Sequence, residues 1–285
     1  MKRTLTAIIS ALVLHTQGAS AADYTTAYRD CVINWTRGTI VSSALASVET
    51  DGRGQPVDAN DGSPLSLNRA RSDSAGRARG ACVENVMAAI RTIRIDPRTL
   101  MKDLIASDDA TQARLSEMLA SGAKFRTFPR AHDGTVCELN LRVGDVAAAL
   151  PYPFPQADFP VIDDTPLKSD YTGLIIDCRG TGMEPMIFPS VLNDEGVEIY
   201  GREFVDSAVA TKYGLASYCT TEDEARAMKR AGSRPLFTIA LKTVRGCPVI
   251  SNRDARRILG STATRNNLKK CRLIIILDTH QAAAR

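Results

Sequence analysis

The chain has 285 residues, 44% of them hydrophobic and 24% charged, with a formal net charge of +4. That composition belongs to a globular protein and excludes a disordered one, and the near balance of charge excludes a partner held by bulk positive charge, such as a polyanion. A single Trp leaves little aromatic surface for stacking on bases, so nucleic acid is not an expected partner.

Residues 1–21 read as a cleavable signal peptide. Lys2 and Arg3 make a basic start, Leu5 to Leu14 an apolar stretch too short for a permanent anchor, and Ala19-Ser20-Ala21 a small-x-small cleavage site. Loss of Lys2 and Arg3 takes the net charge from +4 to +2. The first Cys is Cys31, too far from the apolar stretch to carry a lipid. The expected location is therefore the periplasm, without lipidation and without a transmembrane span in the mature chain.

Residues 22–150 read as a small α+β module. A strand is expected over Ile33 to Val48, rich in Thr, Val, Ile and Ser, and a loop over Asp51 to Pro64. A long helix follows from Ser66 to Ile93, because Cys82, Val86, Ala89, Ile90 and Ile93 fall on one face. Asp96-Pro97 predicts a stop and a restart with Pro in the first helical turn. Two shorter helices are expected over Arg98 to Ala106 and Ala110 to Ala120. Phe125 to Arg130 then forms a hairpin through His132-Asp133-Gly134. On the returning strand Cys137, Leu139, Leu141 and Val143 share one face, and Glu138, Asn140 and Arg142 the other. Arg69, Arg71, Arg77, Arg79, Arg91 and Arg94 make the long helix basic. The expectation is a solvated face neutralised by Asp103, Asp108, Asp109 and Glu117.

Residues 151–169 carry Pro151, Pro153, Pro155, Pro160 and Pro166, a density that blocks helix and sheet and favours an extended linker. Residues 170–285 read as an α/β module with a mixed sheet. Strands are expected at Gly173 to Asp177, Met186 to Leu192, Val197 to Tyr200, Phe237 to Val244 and Arg272 to Asp278. Helices are expected over Glu203 to Lys212, from Thr221 to Ala231 with a Thr221/Glu224 capping box, and from a Ser251 or Asn252 cap through Leu259. The fold class is thus α+β, in two modules joined by the Pro-rich linker.

The strings in this second module carry a resemblance. Thr172 to Gly182 reads TGLIIDCRGTG. Pro185, Pro189 and the segment Asn193 to Gly201 follow, then Ala231 to Leu236, then Val249 to Ala255, then the basic-to-aliphatic run Lys269 to Asp278. Together they resemble a group of exported bacterial proteins related to LPP-type envelope lipoproteins and to flagellar assembly protein T. The resemblance implies a structural or assembly protein of the envelope, periplasmic or associated with the outer membrane, with an envelope or flagellar assembly or a second copy of itself as partner. It implies no enzyme activity. The chain departs from the group in lacking a lipid-bearing Cys and in placing Cys178 where Ala is usual, which implies added disulfides.

Seven cysteines fit an oxidising compartment, and the odd count leaves at least one thiol unpaired. The expected pairs are Cys31 with Cys82, and one pair among Cys178, Cys219, Cys247 and Cys271. No metal-ligand spacing, nucleophile elbow or P-loop occurs, so no catalytic residue, metal or cofactor is assigned. His132 and His280, the histidines beyond the signal segment, have no nucleophile or metal partner nearby in sequence. Gly180-x-Gly182 leaves a strand as a phosphate loop would, but the third glycine is missing and Glu184-Pro185 stand where a helix should begin, so a tight turn is expected.

Asp177 and Arg179, at the end of a buried strand, are the best candidates for a ligand site, with Glu184 beside them. They suit a polar ligand such as a sugar or peptide fragment, which makes a soluble periplasmic binding module the alternative function. An internal Asp177–Arg179 ion pair fixing the glycine loop is the simpler expectation.

Overall fold

The computed structural model describes residues 23–130, 133–161 and 169–279. The signal-peptide reading, His132 and His280 lie outside those residues.

The first module is a five-stranded antiparallel sheet with helices on one face. Its strands are β1 (Thr25–Tyr28), β2 (Cys31–Asn34), β3 (Thr39–Ser47), β4 (Lys124–Arg130) and β5 (Gly134–Arg142), in the order β1-β2-β3-β5-β4. The single strand expected over Ile33 to Val48 is two strands, broken at a turn where Gly38 takes a φ of 66°. The helix α1 (Leu67–Thr92) matches its expected span. Its Ser66 cap accepts from the Arg69 amide, and Ala78, Cys82, Val86, Ala89 and Ile90 are buried against the sheet. The expected restart at Pro97 is displaced. The Asp96 carboxylate accepts from the amides of Arg98 and Thr99, which makes a turn, and α2 (Met101–Ser107) begins three residues after the expected start at Arg98. After α3 (Asp109–Gly122) and the hairpin, Val143 opens a short helix α4 (Val143–Ala148) instead of extending β5.

Three of the α1 arginines pair with other acids than the expected ones. Arg69 pairs with Asp73 at 3.2 Å, Arg71 with Asp133 at 2.6 Å, and Arg77 with Glu49 at 3.6 Å. Arg79 stacks over the Phe125 ring at 3.9 Å.

The second module holds two four-stranded sheets. One is wholly parallel, in the order β10-β6-β13-β9. It comprises β6 (Leu174–Asp177), β9 (Ser217–Cys219), β10 (Leu236–Ile239) and β13 (Leu273–Ile276). Every residue of β6 and β13 is buried, as a parallel sheet covered on both faces requires. The other sheet is mixed, in the order β11-β12-β7-β8, from β7 (Val191–Asn193), β8 (Glu198–Tyr200), β11 (Lys242–Val244) and β12 (Cys247–Ile250). The expected strand Phe237 to Val244 is therefore split between sheets: the Ala240 amide still bonds to Asp177, while Leu241 bonds to Val249. Met186 to Leu192 is mostly irregular, and only its end enters β7.

Four helices complete the module: α5 (Ser207–Tyr213), α6 (Glu222–Ala227), α7 (Asn252–Leu259) and α8 (Thr262–Lys269). The helix expected from Glu203 starts at Ser207, because the Asp206 carboxylate caps it through the Val209 amide. The helix expected to reach Ala231 ends at Ala227, and a 3-10 turn over Lys229–Ala231 follows.

The modules share a core. One buried cluster runs from Cys31, Ile40 and Leu139 through Ile93 and Ile95 to Met186, Phe188, Tyr218 and Ile275. Trp35 meets Tyr218 edge-to-face at 5.8 Å, and the amides of Ile187 and Phe188 bond to the carbonyls of Arg94 and Ile95. The described part of the Pro-rich segment, residues 151–161, has no helix or strand and is docked. Tyr152 and Phe154 pack on Phe188, Phe159 stacks on Phe204 at 5.0 Å, and the Ala157 amide bonds to Glu203.

All seven cysteines are free and buried, which corrects the expected pairs of Cys31 with Cys82 and of two among Cys178, Cys219, Cys247 and Cys271. Cys82 points its thiol at the Cys137 carbonyl, 3.0 Å away. In the second module β13 lies between β6, which Cys178 follows, and β9, which ends at Cys219, and Ile276 pairs with both Asp177 and Cys219. Two strand spacings are roughly 9.6 Å, beyond disulfide reach. Cys271 precedes the opposite end of β13, and Cys247 belongs to the other sheet. Burial pushes the thiols up, to about 12 for Cys31 and Cys219 and about 11 for Cys82, Cys247 and Cys271, so they stay protonated near neutral pH.

Candidate functional site

The residues expected to form a ligand site stand where expected, at the carboxyl end of β6, but they are occupied with one another. The Asp177 carboxylate is nearly buried and accepts from Arg179 three times: from the backbone amide at 3.1 Å, from Nε at 2.9 Å and from Nη2 at 2.5 Å. The side-chain bonds from Arg179 hold the Asp177 carboxyl below its usual range, against the opposing effect of burial. Gly180 and Gly182 take left-handed φ of 75° and 69°, and the Gly180 amide donates to the Asp278 carboxylate at 2.9 Å. The amide a phosphate would need is thus already bonded, and the loop is a tight turn. Glu184 does not join the pair. It reaches across to Arg94 of the first module, 3.5 Å away, with most of its side chain in solvent. Among the described residues, no group of three or more His, Cys, Asp or Glu could hold a metal ion.

A depressed carboxyl has a pH signature. Asp177 titrates lower in the folded chain than in the unfolded one, so its contribution is complete above about pH 4 and fades as pH falls further. Asp177→Asn is expected to cost at most about 1 kcal/mol at pH 7, because the Arg179 side chain is half exposed and solvent screens the pair. Urea titrations of both proteins between pH 3 and 7 should show the difference closing below pH 4. A difference that grows on acidification would contradict the pairing.

A second feature was not assigned from sequence. Among the described residues, the five-stranded sheet has helices on one face only. On the other, Val32 stands across from Val41, and Leu45 across from Val136, which in turn faces Phe128. Val32, Val41, Leu45 and Phe128 are 42%, 39%, 63% and 42% exposed, so no described residue covers the face. Between the two apolar rows Glu138 faces Arg126, and Lys124, Arg126 and Arg130 flank the rows from β4 without an ion-pair partner among the described residues. The sequence signal was the strict alternation along β3 and β5. What sequence could not tell is which face the helices leave bare.

A third feature is a cleft of about 240 Å³ between the modules. Trp35 to Thr39 line it from the first module, and Lys212 to Gly214 and Arg230 from the second.

The second module is thus an α/β unit in which a wholly parallel sheet packs beside a mixed one, with the turn after β6 closed by the Asp177–Arg179 ion pair. This unit is similar to a known family: residues 173–279, from the residue before β6 to the end of the segment after β13, match the second domain of Treponema pallidum Tp0624. No curated protein matches the chain.

Proposed function

We propose that the chain is a non-enzymatic structural or assembly protein of the bacterial envelope, periplasmic or associated with the outer membrane, that docks onto a larger assembly. The resemblance of the Thr172 to Gly182 and Val249 to Ala255 strings to exported envelope and flagellar-assembly proteins supports the setting, and the signal-like residues 1–21 support export. What carries the docking reading is the bare sheet face. Its two apolar rows bordered by Lys124, Arg126 and Arg130 fit a partner protein with an apolar contact surface edged by carboxylates. No helix among the described residues is long and apolar enough to cross a membrane.

The test is Leu45→Lys, which places a charge in the more exposed row and touches no core residue. Expected is an unchanged circular dichroism spectrum and unfolding midpoint, with the protein shifting from a high-mass envelope complex to a free species on fractionation of the native cell envelope. Wild-type protein that fractionates as a free monomer would sink the reading.

The cleft between the modules favours a second reading, a soluble periplasmic ligand-binding module. Lys212 lines it without a carboxylate partner among the described residues, so an anionic sugar or peptide fragment suits it. A thermal shift with such fragments that is lost in Lys212→Ala supports this reading. No shift with any of them counts against it.

A further inference from the structure

The sheet of the first module has two edges, and they are built differently. The edge strand β4 reads Lys-Phe-Arg-Thr-Phe-Pro-Arg, with three cations and a proline that discourage pairing with another chain. The edge strand β1 reads Thr-Thr-Ala-Tyr and has neither charge nor proline. Among the described residues it pairs only with β2. The Trp35 amide donates to the Tyr24 carbonyl at 2.9 Å, so the alternation of an antiparallel ladder turns the main-chain groups of Tyr24, Thr26 and Tyr28 toward β2. Those of Thr25 and Ala27 turn outward, away from the sheet.

Beside this edge runs a surface groove of about 810 Å³, walled by Tyr28 and Arg29 on one side and by α1 on the other. Val83, Met87 and Arg91 line it at helical spacing. Val83 and Met87 are half-buried against the core, and with Ala88 and Leu100 they make an apolar floor. The rim is cationic. Arg29, Arg91 and Lys102 are exposed, Glu84 is the lining carboxylate, and none of the three cations has an ion-pair partner among the described residues; Arg29 lies over the Tyr28 ring.

A bare strand edge beside a helix is the geometry in which an extended peptide is recognised by strand addition. Main-chain bonds give affinity, and alternate side chains entering the groove give specificity. We propose that the β1–α1 groove binds an extended acidic segment of a partner protein, which adds to the sheet as a sixth strand against Thr25 and Ala27. Its alternate side chains settle on Val83 and Met87, and its carboxylates meet Arg29, Arg91 and Lys102. The proposal rests on the docking reading above and names the chemistry of the partner. It uses the edge and inner side of the sheet, while the bare face is on the outer side.

The experiment titrates the purified full chain into a fluorescein-labelled alternating Asp-Val peptide, with a Lys-Val peptide as control, and follows anisotropy. Expected is saturable binding of the Asp-Val peptide alone. Binding should weaken at least tenfold between 50 and 500 mM salt, and at least tenfold in the Arg91→Glu, Lys102→Glu double variant. Ala27→Pro removes an outward N–H without breaking a bond to β2 and should abolish binding. The amides of Thr25 and Ala27 should gain hydrogen-exchange protection in the complex, a readout independent of any variant. Leu45→Lys, on the outer face, should bind the peptide normally. Equal binding of the Lys-Val peptide, or no protection at Thr25 and Ala27, overturns the proposal. Loss of envelope association in Leu45→Lys without peptide binding by the wild type overturns the edge site and leaves docking through the face standing.

Discussion

Replacing Arg230 by methionine is expected to cost about 4 kcal/mol, a large fraction of the 5–15 kcal/mol by which domains are ordinarily stable. Arg230 sits on the 3-10 turn after α6 and gives its guanidinium to three carbonyls of two other segments. One nitrogen donates to Gly214 at 3.1 Å and to Cys271 at 2.7 Å, and the other to Tyr213. Burial pulls its pKa down from the usual arginine range, and no carboxylate among the described residues pairs with it. The compensating charge comes from backbone. Tyr213 and Gly214 end α5, where carbonyls without helical partners gather partial negative charge. Methionine fills the space but strands the partly buried carbonyls of Gly214 and Cys271, each worth about 1–3 kcal/mol when left unbonded, while that of Tyr213 borders solvent. Arg230→Lys should recover less than half of the loss, because one ammonium cannot span acceptors that a planar fork reaches from two nitrogens. Urea unfolding at constant m-value measures both. A loss below 1 kcal/mol for methionine would mean that water already satisfies these carbonyls.

Arg230 also marks the boundary of what the sequence reveals. It stands in the run Lys229-Arg230-Ala231-Gly232, where nothing distinguishes it from its exposed neighbour Lys229. The elements that were legible are those whose pattern is local. The α1 stripe of Cys82, Val86, Ala89 and Ile90 repeats every three or four residues, and all four are fully buried. The alternation of Cys137, Leu139 and Leu141 along β5 is equally direct, and β6 and β13 announce themselves as unbroken aliphatic runs. What failed was either too short or dependent on distant partners. The strand β9 has three residues and exists because Tyr218 and Cys219 meet Ile275 and Ile276. The helix α8 turns only Thr264 and Leu268 inward and shows no apolar stripe. Phe237 to Val244 keeps its alternation while passing from one sheet to the other, so periodicity cannot reveal the break.

The candidate sites divide along the same line. Asp177 and Arg179 are two residues apart, and their pairing could be read because it is local. Glu184 shares their loop but finds its partner in Arg94, from the other module, which no spacing announces. The cysteines misled for a related reason: count and compartment pointed to bridges, while the packing separates Cys178 from Cys219 by an intervening strand. The bare face and the β1 edge are properties of topology. They depend on a sheet order in which β1 and β4 end as edges and on helices covering a single side.

Two glycines of one motif should respond very differently to the same substitution. Gly173→Ala is expected to cost about 3 kcal/mol, at the upper end for overpacking a tight core, and Gly180→Ala about 1 kcal/mol. At Gly173 an added methyl would lie 2.7 Å from the Ala231 carbonyl oxygen and 2.9 Å from that of Arg272. Both neighbours are backbone, so no rotamer change relieves the clash. Either the 3-10 turn must lift from the sheet or β13 must slide against β6, where the Leu174 amide bonds to Arg272 and the Gly173 carbonyl accepts from Leu236. At Gly180 the same methyl meets nothing within 4 Å, and the cost is only that of holding an L-residue at a φ of 75°. Denaturant titration of the two variants separates close approach from backbone strain. Equal losses would mean that the contact between the turn and β6 is loose, and that the sheet edge near Ala231 can yield without disturbing the ladder of β6, β10 and β13.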